Sequence, residues 1–334
     1  MRIGNLATGI VLGPYVLNLI DSSILNISSE LRKIALIIIL TRAGLGLDIT
    51  GLKKIGRPAI LMCFLPASFE LLGIILIAPK ALGMSVLEAA IMGAVLAAVS
   101  PAVVVPRMVK LMDNGYGTAK GIPQLILAGA SVDDVYVIVL FSTFTGMMQG
   151  KGASIINFVN IPVSIILGMG IGILAGYLLA MYFEKIHIRD TVKVLLILSI
   201  SFILVATEDM LNTPIKFSAL IAIMFVGATV NINYLGNMGI KALIVIFGAL
   251  IFRMAGVFVC LIKTELNKKE RLFTMMAYTP KATVQAAIGG IPLALNFACG
   301  ETVLTIAVLA IVITAPLGAF AMDLSYKKLL RRNE

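Results

Sequence analysis

Two acids stand side by side in the middle of an apolar stretch, ILAGASVDDVYVIVLF, at Asp133 and Asp134. In a membrane helix an ionisable group at that depth costs about 2.5–3.5 kcal/mol or more, so each acid needs a cavity or a partner. Successive helical residues point about 100° apart, which lets one acid take a basic partner while the other faces water. An acid that can hold either a proton or a hard cation such as Na⁺, but not both, exchanges one for the other when its exposure alternates. Three more charges lie deep in apolar surroundings: Glu70 in LPASFELLG, Arg253 in ALIFRMAGVFV and Lys281 in TPKATVQ. Either base could neutralise an acid or offset the dipole of an interrupted helix.

The rest of the chain supplies the surroundings such residues require. Of its 334 residues, 60% are hydrophobic and 13% charged, where a soluble chain carries about 25% charged residues. Eleven apolar segments recur along the whole length, at 6–20, 31–47, 59–78, 87–109, 122–148, 161–183, 192–206, 215–230, 240–262, 271–297 and 303–324. Long solid apolar runs exclude a transmembrane barrel, whose strands alternate, and an open sheet would strand backbone groups in lipid. The expected fold class is an all-α polytopic membrane protein, a single transmembrane transporter domain over 1–334.

The net charge of +10 comes in short clusters between the apolar segments. These read as topology signals rather than as a nucleic-acid face. The loops after the second, fourth and sixth segments are basic, carrying Lys53, Lys54 and Arg57, then Arg107, Lys110 and Lys120, then Lys185, Arg189 and Lys193. Lys80 and Lys151 stand alone in the loops between. The next clusters follow the ninth segment (Lys263, Lys268, Lys269, Arg271) and the eleventh (Lys327, Lys328, Arg331, Arg332), on the wrong parity. The simplest repair is that the eighth segment, IKFSALIAIMFVGATV, does not cross as one ordinary helix, or that a span is missing there.

Two segments carry helix-breaking residues at their centres. LAAVSPAVVVPRM has Pro101 and Pro106, and MMAYTPKATVQAAIGGIPL has Pro280 and the pair Gly289–Gly290. Proline removes a helical donor, and irregular backbone survives in lipid only where protein or a water-filled cavity satisfies it. Each interrupted segment follows a helix with a buried charge, Glu70 in one case and Arg253 in the other, and each is followed by a closing helix. The two triplets, 59–148 and 240–324, are expected to be inverted repeats with a site between them. Their matching positions also make a Glu70–Arg253 ion pair plausible.

Several other residues have ordinary explanations. Cys63, Cys260 and Cys299 lie in apolar segments without metal spacing. His187 stands alone in a basic loop, Arg42 sits near a helix end where it can snorkel, and Gly44, Gly46, Gly168, Gly170, Gly172 and Gly176 have spacings suited to helix packing. An intramembrane aspartyl protease needs acids on two helices facing one water, which adjacent acids on one helix cannot supply. No enzymatic activity is expected.

The stretches VSPAVVVPRM, GIPQLILAGASVDDV, YTPKATVQAAIGG and LAIVITAPLGA, in this order, resemble the NHA branch of monovalent cation/proton antiporters, in a bacterial member. The resemblance runs from about Glu70 to Phe320. It implies a homodimer in the cell membrane (plasma or inner), with an inverted-repeat sodium/proton antiporter fold and two broken helices crossing near the midplane. Asp133 and Asp134 then match the acids that bind proton and transported Na⁺ or Li⁺, which would be the only metal. Ser100, Pro101, Thr279 and Pro280 mark the crossing, and Arg253, Glu70 and Lys281 are supporting charges. No cofactor and no nucleic acid are implied. Arg253 stands where related electrogenic antiporters have Lys, which leans toward electroneutral exchange because a guanidinium does not release its proton.

Two departures accompany the resemblance. The family has further helix before RIGNLATGIVLGP, and it places a basic loop and the start of another helix between stretches like FSALIAIM and FVGATVNI, which here adjoin near 222–226. The chain is therefore expected to be shortened at its N-terminus and internally. The rival readings are a K⁺/H⁺ exchanger, a channel or organic-anion transporter on the same fold, and a transport-inactive shortened homologue.

Overall fold

The computed structural model of the chain describes residues 56–150 and 232–333, with isolated positions between 8 and 27 and between 177 and 203. All the named elements are helices: α1 Arg57–Met62, α2 Leu65–Leu82, α3 Val86–Leu96, α4 Pro101–Asp113, α5 Ile122–Met148, α6 Ile232–Cys260, α7 Lys268–Ala277, α8 Thr283–Ile288, α9 Ile291–Ala294 and α10 Gly300–Leu329. Five helical stretches among the described residues are long and apolar enough to span a membrane: 57–82, 86–113, 122–148, 239–260 and 300–329. The expected apolar segments at 31–47, the fused stretch around 222–226, Arg42, His187 and the six glycines named with them lie outside the described residues.

Both interrupted segments are broken, and each break has a local cause. The first half-helix, α3, begins with a capping box in which the Ser85 side chain accepts from Glu88 N and the Glu88 side chain accepts from Ser85 N. It ends at Leu96, and extended backbone leads to Pro101, which opens α4. Proline fits the first helical position because the missing N–H would have no partner there. Pro106, expected to share in the break, lies inside α4 instead. The second segment starts on another capping box, between Asn267 and Glu270, and unwinds from Tyr278 to Ala282 before α8. It turns again at Gly289–Gly290 before α9.

Contacts between the loops fix how the two triplets are oriented. Arg331 O accepts from Gly117 N at 2.8 Å and Gly115 O accepts from Asn333 N at 2.8 Å, so the end of α10 meets the loop joining α4 to α5. Lys120 in that loop donates to Glu265 O and Glu270 Oε2, at 2.8 and 2.9 Å, just after α6 and at the start of α7. The basic loops after the fourth, ninth and eleventh apolar segments therefore share one face of the molecule. The first broken span, α3 and α4, ends at this face, while the second starts from it at α7. The two broken helices run in opposite directions, as inverted repeats require.

The triplets are joined chiefly through their first helices, since α6 packs along α2. Small residues allow the approach, as is usual between helices in lipid. A Cβ on Gly73 would stand 2.6 Å from the Phe252 ring, and one on Gly256 would stand 2.9 Å from Pro66 Cα. Gly73 follows Glu70 by three residues and Gly256 follows Arg253 by three, so both charges lie on the faces that meet. Exposed apolar side chains, among them Ile60, Leu72, Leu76, Ile251 and Phe320, face outward, where lipid is the fitting solvent.

Replacing Gly256 by Val should lower stability by about 1–3 kcal/mol, because the obstructing atom is backbone rather than a movable side chain. Gly239→Val, where the space is open, should leave the melting temperature of the purified protein unchanged. Equal melting temperatures for the two variants would show that the α2–α6 approach is slack.

Candidate functional site

The centre of the molecule is Arg253, on α6, with no exposed surface. Its guanidinium donates from Nε to Tyr278 O at 2.6 Å, from Nη1 to Glu70 Oε2 at 2.8 Å and to Ala97 O, and from Nη2 to Asp133 Oδ2 at 2.7 Å. Ala97 and Tyr278 are the residues that close α3 and α7. One planar cation thus covers the carbonyl ends of both first half-helices, where helix dipoles are negative, and binds one acid from each side. The guanidinium also lies 5.2 Å from the centre of the Tyr278 ring, on the side of a cation–π contact.

Lys281, in the unwound part of the second broken span, donates to the same oxygen of Glu70 at 2.5 Å. Glu70, Asp133, Arg253 and Lys281 are all buried and form a connected set. Their formal charges cancel, two negative and two positive. A closed, hydrogen-bonded set of this kind is the form in which buried charge is tolerated.

Asp134 is the acid left over. It is 2% exposed, and its Oδ1 is buried with no hydrogen-bond partner among the described residues. The expected divergence of the adjacent acids is realised on one side, with Asp133 turned to the base. Asp133 Oδ2 also accepts from Val99 N at 2.9 Å, in the break of the first span, while its Oδ1 stays free of partners.

The two breaks cross and are bonded to each other. Ser100 N donates to Pro280 O at 2.8 Å. Gln285, on α8, donates through Nε2 to Leu96 O at 3.1 Å and Ala98 O at 2.9 Å, closing the end of α3 from the opposite repeat. Thr314 on α10 accepts from Lys281 N through Oγ1 at 2.9 Å, and Thr279 Oγ1 donates to Met276 O at 2.8 Å. Pro101 and Pro280 thus mark the meeting of the two spans. Tyr278 ties α5 in as well. Its hydroxyl donates to Met62 O at 3.3 Å and lies where a Cβ on Gly129, one turn before Asp133, would meet it at 1.9 Å.

Reasoning from the sequence missed Gln285, Thr283, Thr314 and Tyr278. Each is a polar side chain in a strongly apolar segment, a signal that was present but weak beside the charges. Among the described residues, three oxygens around the crossing, Ser100 Oγ, Thr283 Oγ1 and Gln285 Oε1, are buried without partners, as are Asp133 Oδ1 and Asp134 Oδ1. Buried polar atoms are normally paired. This concentration of acceptors at the crossing is the chemistry that oxygen-liganded cations use.

The comparisons with known proteins bear on family and fold. The family model described as sodium/hydrogen exchanger, transmembrane, matches residues 1–240. Human sodium/hydrogen exchanger 9B2 is 33% identical over 353 residues, covering 92% of this chain and 65% of the relative. Sodium/hydrogen exchanger 9B1 of Macaca fascicularis is 31% identical, covering 92% and 68%. The chain thus spans about 65% of the length of the first of these relatives. The solved sodium proton antiporter MjNhaP1 of Methanocaldococcus jannaschii superposes with a TM-score of 0.81 at 20% identity, over 97% of this chain and 91% of that one. That likeness carries the fold.

Replacing Arg253 by Met should cost about 3–5 kcal/mol, because it leaves Glu70 and Asp133 buried with one base between them. Glu70→Gln with Arg253→Met restores the charge balance, leaving Asp133 and Lys281. The double variant should lose less than the two single variants added together. Thermal denaturation of the four purified forms checks both statements, and strict additivity would show that the charges do not act as a set.

Proposed function

Because the chain belongs to the sodium/hydrogen exchanger family, a family of transporters and not of enzymes, we propose that it exchanges a monovalent cation, Na⁺ or Li⁺, for protons through the pair Asp133 and Asp134. The observation that supports this reading is the charge count at the crossing. Arg253 and Lys281 are matched by Glu70 and Asp133, which leaves Asp134 as the acid without a base among the described residues. Asp134 carries the exchange: its carboxylic acid gives up one proton as its carboxylate takes one cation, and the reverse step restores it. Asp133 Oδ1 and the unpaired oxygens of Ser100, Thr283 and Gln285 are the further candidates for ligands when the cation has shed water.

Arg253 keeps its charge throughout, since a guanidinium is not deprotonated in proteins. One cation for one proton at Asp134 then moves no net charge. Glu70, Arg253 and Lys281 act as supporting charges that hold the two breaks in place.

Within the family, the motifs VSPAVVVPRM, GIPQLILAGASVDDV and YTPKATVQAAIGG support placement in the NHA branch, as a bacterial member. We assign it to the cell membrane as a homodimer, with 1–334 as one transporter domain and repeat cores at 59–148 and 240–324. A transport-inactive shortened homologue is the second reading. It is supported by the match to the human relative, whose 353 aligned positions exceed the 334 residues of this chain, so that relative carries stretches without a counterpart here.

Proteoliposomes containing a pH-sensitive dye decide between the two. Na⁺ or Li⁺ gradients should drive proton movement in the unaltered protein, and Asp134→Asn should reduce it to the level of empty liposomes. Movement driven by K⁺ alone would favour the K⁺/H⁺ reading, and no movement would favour the inactive one. The rate should not respond to an imposed membrane potential. A potential-dependent rate would remove Arg253 as the reason for electroneutrality.

A further inference from the structure

At the face where the basic loops gather, a cavity of about 460 Å³ opens between the start of α7 and the end of α10. Asn267, Lys268 and Lys269 line one side, Lys328 and Arg331 the other, and Leu329 and Leu330 lie between them. No carboxylate lines it among the described residues. The nearest buried acid, Glu270, is already committed to Lys120 and to Asn267 N. The four bases of the cavity make no ion pair among the described residues.

Helix electrostatics account for only half of these charges. Lys328 stands in the last turn of α10, where a cation offsets the negative end of the helix. Lys268 and Lys269 are the first two residues of α7, the positive end, where basic residues are disfavoured. Two unpaired lysines on the wrong end of a helix, facing two more bases across a cavity, form a receptor for an anion.

The surroundings indicate which anion. One turn further into the span, Leu272 on α7 is 43% exposed and Leu324 on α10 is 77% exposed, each four residues from a lysine of the cavity. Along α10 the exposed side chains continue through Phe320 and Leu317, so apolar surface runs from the cavity into the hydrocarbon region. A free phosphate would use the charges and leave this surface without a role. An anionic phospholipid uses both, with its headgroup among the bases and its chains along the leucines, and the cytoplasmic leaflet that basic loops face carries such lipids.

We propose that the cavity between α7 and α10 binds the phosphate-bearing headgroup of an anionic phospholipid. The site is independent of ion exchange at Asp134. Because its two walls are the start of the second broken span and the end of the closing helix, an occupant would hold them together.

The test uses the full chain purified in detergent, with phosphatidylglycerol or phosphatidylcholine added in mixed micelles, read by the thermal shift and by lipid retained in native mass spectrometry. Phosphatidylglycerol should raise the melting temperature and remain bound, and phosphatidylcholine should do neither. Lys268→Gln with Lys328→Gln should weaken retention about thirty-fold, taking about 1 kcal/mol for each charge near the surface. Its melting temperature without lipid should be unchanged, since both side chains are exposed. Lys110→Gln with Lys263→Gln, on the same face but outside the cavity, should retain lipid normally. Equal loss in the two double variants would overturn the site in favour of diffuse attraction. An equal thermal shift with inorganic phosphate alone would overturn the lipid as its occupant.

Discussion

The guanidinium of Arg253 imposes the constraint on which the rest of the arrangement depends. In a dry interior, charge must be balanced within hydrogen-bond reach, and the open ends of interrupted helices must find donors. Arg253 meets both needs at one point, taking Glu70 and Asp133 as counter-charges and Ala97 and Tyr278 as helix-end carbonyls. A lysine at the same place has three donors on a single nitrogen and could not reach four acceptors in a plane. Breaking two helices at the crossing is therefore tolerated because one side chain closes both.

Much of the remaining architecture serves to bring that side chain to its partners. Glu70 and Arg253 are 183 residues apart in sequence, and the glycines beside them let α2 and α6 approach until the ion pair closes. The exchange of donors between repeats works the same way. Gln285 from the second repeat closes the end of α3 in the first, and Ser100 of the first bonds to Pro280 of the second. Each broken span takes part of its bonding from the other triplet, so the two hold their unwound conformations together.

The sequence made the charges and the breaks legible because both violate a strong background rule. A carboxylate or a proline in an apolar run is rare enough to need a reason, and Asp133, Asp134, Glu70, Arg253, Lys281, Pro101 and Pro280 all come together where the breaks meet. Helix ends were less legible: α10 reaches to Leu329 and α7 starts at Lys268, each beyond its apolar run, because capping and lysines that reach past a helix end do not register as hydropathy. Pro106 misled because α4 already starts at Pro101 and continues through it. Gln285, Thr283 and Thr314 escaped because uncharged polar residues are common enough in membrane helices to pass as packing. The charge parity that failed at the eighth segment lies where the structure offers no description, but the basic loops around Lys120, Lys268 and Arg331 do share one face, as the parity argument required.

Adjacency of the two acids gives the proposed exchange its internal logic. Asp133 is held by Arg253 and by Val99 N, and releasing it would expose a buried charge at a cost of several kcal/mol. Asp134, one residue on, shares the backbone of α5 but none of those bonds. Any movement that presents Asp134 first to one side of a membrane and then to the other must therefore carry Asp133, Arg253, Glu70, Lys281 and both breaks along with it. In the proposed exchange the crossing would then move as one body. A single unmatched acid on such a body changes its net charge when it loses a proton and regains neutrality when it takes a cation. Each loaded state is then neutral and each empty state charged, so crossing the hydrocarbon region is easiest with cargo aboard, which is the condition for coupled exchange rather than leak.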